Sequence, residues 1–216
     1  MGQQWKYRGG LRITPFSGDK YFAFPPFKYH AKNEVFIDPG AYVGDTLEQY
    51  VFMHEGIFDK IYCFEPDSRI FRALSARRRR LNEEWVLDEH QINLVAAGVG
   101  RTTAVTRARQ ASFGLSFAVA EEESGNLIDV ISLDDYFANQ PITFIKSDIE
   151  SLEFEMLQGA EKILRRDRPK LAICIYHSAF DMFRIQKLIE ELGLNYNFAV
   201  RHHSNRLSET VLYVWQ

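Results

Sequence analysis

The sequence is poor in cysteine. It contains only two, Cys63 and Cys174, and no Cys-x-x-Cys pair, so neither a disulfide framework nor a cysteine-based metal site is expected. Both residues lie within short apolar runs, where a reduced cysteine packs as a small apolar side chain. Because cytosolic proteins keep their thiols reduced, this usage favours a cytoplasmic location.

Long apolar runs and a strong charge of one sign are missing as well. No stretch reaches the roughly 18 apolar residues that a transmembrane helix needs. The first residues lack the apolar region of a secretory signal. The net charge of −3 gives no sign of the basic excess that nucleic-acid-binding proteins carry. We therefore expect a cytoplasmic protein with no membrane span and no nucleic-acid partner.

The remaining composition is that of a globular domain. Apolar residues make up 46% of the 216 residues, which is enough for a core, and the length fits one domain with extensions. Residues 1–33 are rich in aromatic residues, glycine and proline, unlike a linker. We expect them to form an N-terminal extension packed on a domain of residues 34–216, either as a simple cover of its core or reaching over its active face.

Short apolar runs alternate with amphipathic segments from residue 34 onward, which predicts alternating strands and helices. Only a polar turn separates the last two runs, so they must pair as an antiparallel hairpin. The sequence thus predicts an α/β fold with a doubly wound, mostly parallel seven-stranded sheet and a C-terminal antiparallel hairpin. We predict strands at 35–38, 60–65, 92–97, 142–148, 171–176, 196–202 and 210–215, an extra strand at 102–108, and helices at 46–55, from 67 or 68 onward, at 132–138, 152–164 and 182–192.

The first two predicted strands both end in an acidic residue. Asp38 ends the first strand and is followed by a turn with Gly40 and Gly44. Gly40 permits a sharp turn and the close approach of a ligand. Glu65 ends the second strand, 21 residues after Gly44, which is about the separation expected for a carboxylate that binds both ribose hydroxyls of a nucleoside.

The charge of this turn indicates which nucleoside it binds. Asp38 and Asp45 flank the turn, and the middle glycine of Gly-x-Gly-x-x-Gly is absent, so the turn is unsuited to a pyrophosphate. Acids suit a ligand that carries an ammonium and a sulfonium, which predicts S-adenosylmethionine as the cofactor. The predicted cofactor-binding residues are Asp38, Pro39, Gly40, Ala41, Gly44, Asp45, Thr46, Glu65, Pro66, Ala97 and Asp148.

A second diagnostic stretch, residues 144–161, begins within the fourth predicted strand. Together with the first turn it resembles the FkbM family of S-adenosylmethionine-dependent methyltransferases, over roughly residues 34–216. Ser151 departs from the pattern, because the family usually has glycine there. The matching segments, in the family's order, are 38–45, 64–66, 132–135, 145–150, 157–160, Pro169 and 176–177.

The resemblance implies a Rossmann-like, class I methyltransferase fold and O-methylation of a hydroxyl on a sugar, glycan or secondary metabolite. Such a hydroxyl is a poor nucleophile and benefits from a general base. The candidate catalytic residues are Asp148, Glu150, His177 and Lys146. His177 has a suitable unperturbed pKa, while Asp148 is equally suited to hold the cofactor's amino group or the acceptor hydroxyl. Lys146 is explained as readily by pairing with an acid as by catalysis.

Several alternatives stay open at this point. Asp148, Glu150 and His177 are also suitable ligands for a divalent cation, but nothing in their spacing requires one, and no metal site is predicted. A nicotinamide-dependent oxidoreductase and a non-catalytic nucleotide-binding protein are the rival functions. A nucleic-acid amino-methyltransferase is disfavoured, since residues 147–150 lack its Asn/Asp-Pro-Pro-aromatic motif. We expect residues 1–33 and 109–130 to shape the pocket for a small-molecule or glycan acceptor, whose identity the sequence leaves open, as it does homo-oligomerisation.

Overall fold

The computed structural model describes residues 13–15, 19–28, 33–110, 117–119, 126–206 and 208–216. The strands are β1 (Ile13–Pro15), β2 (Val35–Pro39), β3 (Lys60–Phe64), β4 (Ile92–Val95), β5 (Gly98–Gly100), β6 (Ala104–Gln110), β7 (Phe117–Val119), β8 (Asn126–Ser132), β9 (Phe144–Ser147), β10 (Lys170–Cys174), β11 (Asn197–His202) and β12 (Thr210–Trp215). The helices are α1 (Pro25–Lys28), α2 (Asp45–Met53), α3 (Ser68–Trp85), α4 (Leu133–Tyr136), α5 (Glu153–Gln158), α6 (Glu161–Asp167) and α7 (Asp181–Glu191).

The main sheet has eight strands in the order β1-β11-β12-β10-β9-β2-β3-β4. Strands β10, β9, β2, β3 and β4 run parallel, whereas β12 is antiparallel to both β10 and β11. The predicted fold class, including the C-terminal hairpin, is therefore confirmed, and β1 adds an edge strand parallel to β11. Strand order reverses between β2 and β9, which places a ligand crevice at their carboxyl ends.

Both faces of this sheet are buried. Neighbouring residues of one strand enter different apolar clusters: Phe36 and Phe144 pack on one side of the sheet, and Ile37 and Ile145 on the other. This alternation follows from the twofold repeat of a strand, and it explains why the inner strands are apolar almost throughout. None of the helices in the described part of the chain is both long and apolar enough to cross a membrane.

The described part of the N-terminal extension packs on one of these faces. Phe22 and Phe27 are fully buried, and the Phe27 ring meets the rings of Phe144 and Tyr213 edge-on at centroid distances of 5.5 and 5.2 Å. Lys20 and Tyr21, which precede these aromatic residues, lie at the carboxyl ends of the parallel strands, where both contact Asp148. Residues 1–12, 16–18 and 29–32 lie outside the described part of the chain.

The predicted helix at 152–164 is wrong as a single helix, since α5 and α6 are separate. Gly159 lies at the break, and a Cβ there would come within 2.3 Å of the Gly100 carbonyl oxygen. The carboxylate of Asp134 then accepts hydrogen bonds from Lys162 N and Ile163 N at 3.0 and 2.9 Å. These bonds satisfy free amides in the first turn of α6, so a separate helix begins there.

A second sheet, in the order β5-β8-β6-β7, was not predicted beyond one extra strand. Strand β8 pairs antiparallel with β6 and parallel with β5. Part of the connection before β9, where we expected residues 109–130 to shape the acceptor pocket, therefore forms strands β6, β7 and β8. Residues 111–116 and 120–125 lie outside the described part of the chain.

Candidate functional site

A cavity of about 400 Å³ opens above the carboxyl ends of the parallel strands. Its walls come from the turn after β2, the ends of β3, β4 and β9, the second sheet, the N-terminal segment and the turn of the C-terminal hairpin. The lining includes Lys20, Tyr21, Gly40, Tyr42, Asp45, Thr46, Phe64, Glu65, Pro66, Ala97, Thr106, Ile128, Val130, Lys146, Asp148, Ile149, Glu150 and Glu209.

The predicted cofactor-binding residues divide into two groups in the structure. Seven side chains or backbones of the predicted set line the cavity: Gly40, Asp45, Thr46, Glu65, Pro66, Ala97 and Asp148. The others, Asp38, Pro39, Ala41 and Gly44, do not line it. The second group supports the first, because Ala41 N and Gly40 N donate hydrogen bonds to the Phe64 carbonyl at 3.0 and 3.1 Å and so fix the turn against β3.

Asp38 is committed to a buried ion pair. Its carboxylate is fully buried, and Lys146 Nζ lies 2.7 Å from Asp38 Oδ1. Burial alone would lower the pKa of Lys146, but Asp38 and Asp148 outweigh it and raise this pKa, so Lys146 is a cation. Asp38 therefore does not offer its charge to a ligand, and Lys146, although it borders the cavity, is explained by pairing rather than by proton transfer.

The same lysine holds the turn that follows β2. Lys146 Nζ donates a second hydrogen bond, to the Gly40 carbonyl at 3.0 Å. Gly40 has a positive φ of 71°, and a Cβ there would lie 2.0 Å from the Asp148 carbonyl oxygen. Only glycine can occupy this position without displacing the backbone after β9.

Glu65 stands just past the end of β3 with both carboxylate oxygens oriented by backbone amides. Asp67 N donates to Oε1 at 2.8 Å, and Tyr42 N donates to Oε2 at 3.2 Å. Burial raises the pKa of Glu65 to about 7, even though these two hydrogen bonds oppose the shift. Since a carboxylate oxygen accepts more than one hydrogen bond, each oxygen of Glu65 can accept a further one from a ligand in the cavity.

Asp148, just after β9, is surrounded by donors. Lys20 Nζ and Tyr21 OH donate to Oδ2 at 3.0 and 2.7 Å, and Tyr176 OH donates to Oδ1 at 3.0 Å. Burial alone would raise the pKa of Asp148, but His177 and Lys20 outweigh it and hold this pKa well below its usual range. An aspartate held this firmly as an anion is a poor proton acceptor. Sequence reasoning missed Lys20, Tyr21 and Tyr176, of which only Tyr176 had a signal, in the Tyr-His pair that ends its strand.

His177 does not have the pKa that we expected of it. Its Nδ1 lies 3.0 Å from Glu153 Oε1, and its Nε2 lies 3.2 Å from Asp148 Oδ1 and 3.6 Å from Glu150 Oε2. Burial alone would lower the pKa of His177, but Asp148 and Glu153 outweigh it and raise the pKa to about 10. At neutral pH the imidazole is a cation, and it stands behind the cavity wall rather than in it. Glu153 was missed because the first turn of a helix is an ordinary place for an exposed acid.

Glu150 is the candidate catalytic residue that lines the cavity and stays partly exposed to solvent. Its side chain is 46% exposed, and burial raises its pKa above the usual value. Glu150 and Ser151 both have a positive φ, of 56° and 77°, in the left-handed region that favours glycine. The family's usual glycine at position 151 is thus explained by the backbone, and Ser151 adopts the same conformation with some strain.

The comparisons with known proteins agree with this geometry. Residues 38–202 match the family described as "Methyltransferase FkbM domain". The crystal structure of the methyltransferase FkbM from Methylobacillus flagellatus KT superimposes with a TM-score of 0.75 and 26% sequence identity, over 93% of this chain and 48% of that one. The chain therefore spans about half the length of that relative.

More distant structures share the fold alone. The putative rRNA-methylase from Clostridium thermocellum matches with a TM-score of 0.53 and 11% identity, over 94% of this chain and 96% of that one. Fibrillarin from Aeropyrum pernix, solved with natively bound S-adenosyl-L-methionine, matches with a TM-score of 0.51 and 14% identity, over 85% and 67%. None of the curated proteins compared with the chain matches it. Since the family match covers most of the sequence, the chain belongs to the FkbM family of methyltransferases.

Proposed function

We propose that this chain is an S-adenosylmethionine-dependent O-methyltransferase that acts on a hydroxyl group of a sugar, a glycan or a secondary metabolite. Membership of the FkbM family supports methyl transfer, and S-adenosylmethionine is the cofactor. The observation that carries the proposal is the cavity at the carboxyl ends of β2, β3 and β9, which Glu65, Asp148 and Glu150 border. The family does not favour the nicotinamide-dependent or the non-catalytic alternative.

The cofactor's nucleoside fits the side of the cavity formed by β2 and β3. Glu65 would accept hydrogen bonds from the two ribose hydroxyls, one on each of its oriented oxygens. Pro66 and Ala97 line the cavity beside Glu65 and would border the adenine, and Gly40, which has no side chain, would let the methionine part approach the backbone closely. The acids on the wall suit a ligand that carries an ammonium and a sulfonium, and they would repel a pyrophosphate.

The chemistry requires a hydroxyl oxygen in line with the methyl group and the departing sulfur. The oxygen forms a bond to the methyl carbon, the carbon–sulfur bond breaks, its electron pair stays on the neutral thioether, and the hydroxyl proton goes to a base. Glu150 is the proton acceptor, because Asp148 and His177 are held as an anion and a cation by their partners. Asp148 and Lys20, which line the cavity, orient the acceptor, and alignment supplies much of the rate.

Ligand binding tests this proposal directly. S-adenosylhomocysteine at about 100 times its Kd should stabilise the protein by about 2.7 kcal/mol, which raises Tm by about 5–10 °C for a chain of this size. NAD at the same concentration should leave Tm unchanged. Mass spectrometry of a panel of hydroxylated acceptors then looks for one added methyl group. A Tm that NAD raises and S-adenosylhomocysteine does not would overturn the assignment.

A further inference from the structure

Asp148, which lines the cavity, and two side chains behind it lie close together. Asp148, Glu153 and His177 each offer a ligand atom, and these atoms all lie within 4.8 Å of one another. His177 is the centre of the group, since its two ring nitrogens lie 3.2 Å from Asp148 Oδ1 and 3.0 Å from Glu153 Oε1. The three residues come from different parts of the chain, after β9, at the start of α5 and after β10.

Two buried atoms of this cluster have no hydrogen-bond partner among the described residues. Glu153 is fully buried, and its Oε1 accepts a hydrogen bond from Ile149 N at 2.9 Å, but its Oε2 has no partner. Nε2 of His177, whose side chain is only 6% exposed, has none with hydrogen-bond geometry either. A buried polar atom without a partner is costly, so these two atoms indicate that the cluster binds a ligand.

The local charge favours a cation as that ligand. The carboxylates of Asp148, Glu150 and Glu153 lie around one imidazole. Lys20 pairs with Oδ2 of Asp148 and with Glu209, so it balances part of the charge of Asp148 and forms no ion pair with Glu153 among the described residues. Among the described side chains, His177 is the only cationic group within ion-pair distance of Glu153.

We propose that Asp148, Glu153 and His177 bind a divalent first-row transition-metal ion, with one carboxylate oxygen from each acid and one ring nitrogen. A mixed set of imidazole and carboxylate ligands suits Mn²⁺ or Zn²⁺ better than Mg²⁺, which prefers oxygen ligands alone. Ligand atoms about 2.0–2.2 Å from such an ion lie about 3–4 Å from one another, close to the separations seen here. The imidazolium of His177 lies between the carboxylates of Asp148 and Glu153. The ion takes the place of one of its two N–H protons, which is released to solvent.

The role of the ion rests on the proposed function, although its binding does not. A cation held by Asp148, which lines the cavity, would lower the pKa of a nearby acceptor hydroxyl through its charge. Glu150 would take the proton of that hydroxyl as the methyl group moves from sulfur to oxygen. Asp148 would keep its Oδ2 contacts with Lys20 and Tyr21, which hold the N-terminal segment over the site.

The test is a titration of chelator-treated, full-length protein with Mn²⁺, in which electron paramagnetic resonance measures the free ion. One Mn²⁺ should bind per chain, and Zn²⁺ should displace it. Glu153→Gln should weaken binding by about 10- to 100-fold. Glu155→Gln is the matched control, because Glu155 lies on the same helix, its side chain is 38% exposed, and its only ion pair among the described residues is with Arg184, at 3.8 Å. This variant should bind Mn²⁺ like the wild type.

Circular dichroism establishes whether each variant folds, and His177→Gln replaces Glu153→Gln if the latter does not. Absence of Mn²⁺ and Zn²⁺ binding in the folded wild type would overturn the proposal, as would equal affinity in the Glu153 and Glu155 variants. S-adenosylhomocysteine binding, measured in the same preparations, separates the two hypotheses. A wild type that does not bind it would refute the methyltransferase proposal and leave the metal site unaffected, because the metal site is tested by metal binding alone.

Discussion

Substitution of Lys146 by methionine should cost far more stability than loss of an ordinary ion pair. Lys146 and Asp38 are 2% and 0% exposed and 2.7 Å apart. Methionine keeps most of the apolar stem but leaves Asp38 as a buried charge without its counter-ion, and breaking such a pair costs about 3–5 kcal/mol. Because folded domains are stable by about 5–15 kcal/mol, the variant should still fold, so urea unfolding can measure the loss.

A second lysine–aspartate pair with the same distance, but at the protein surface, serves as the control. Lys28 and Asp19 also lie 2.7 Å apart, but their side chains are 41% and 40% exposed. Lys28→Met should therefore cost at most about 1 kcal/mol. The double variant Asp38→Asn with Lys146→Met removes both buried charges, and it should be more stable than Lys146→Met alone. The reasoning is refuted if Lys146→Met and Lys28→Met lower the free energy of unfolding equally.

Three further predictions concern the rim of the cavity. Glu65→Gln should weaken S-adenosylhomocysteine binding about 10- to 100-fold, as loss of a charged hydrogen-bonding group does. The wild-type affinity should fall below about pH 7, where Glu65 becomes protonated. Calorimetry across pH measures both effects, and a variant with the same pH profile as the wild type would contradict this. The raised pKa of His177 contributes stability that is complete below about pH 6.5 and lost as pH rises through about 10. The free energy of unfolding of His177→Gln, measured in urea, should lack this dependence on pH. If the free energies of the wild type and the variant change with pH in parallel, the imidazole is not charged as we infer. Glu150→Gln should lower kcat by about 10²–10⁴ with the cofactor Kd unchanged, and an unaltered kcat would remove Glu150 as the base.

The strands were predictable because each is short, apolar and bounded by turn residues. Five parallel strands and the closing hairpin follow from this pattern, since buried parallel strands are apolar on both faces. The second sheet was not predictable in the same way. Strand β5 consists of Gly98–Gly100 and β7 of Phe117–Val119, and three residues carry no readable period. The close contact of Gly159 with Gly100 likewise depends on packing between segments that are distant in sequence.

The roles of the acids could be predicted only in part. Asp38 and Glu65 look alike in the sequence, as an acid at the end of an apolar run. Asp38 lies within β2, where its side chain meets Lys146 from the neighbouring β9, 108 residues away. Glu65 lies one residue beyond β3, where backbone amides orient it. The sequence supplies both carboxylates but not the register between strands that gives one of them a cation.

The same distinction decides which acids can respond to a ligand. Asp148 has cationic and hydroxyl partners within the protein, so its ionisation is fixed before any ligand arrives. Glu65 and Glu150 have raised pKa values because burial opposes their charge and no ion pair within the cavity fully compensates it. A positively charged ligand favours their ionised forms, whereas a phosphate would raise both pKa values further. The preference for a cationic donor therefore comes from the incompletely paired acids, and the number of acids at the rim is by itself a poor guide to it.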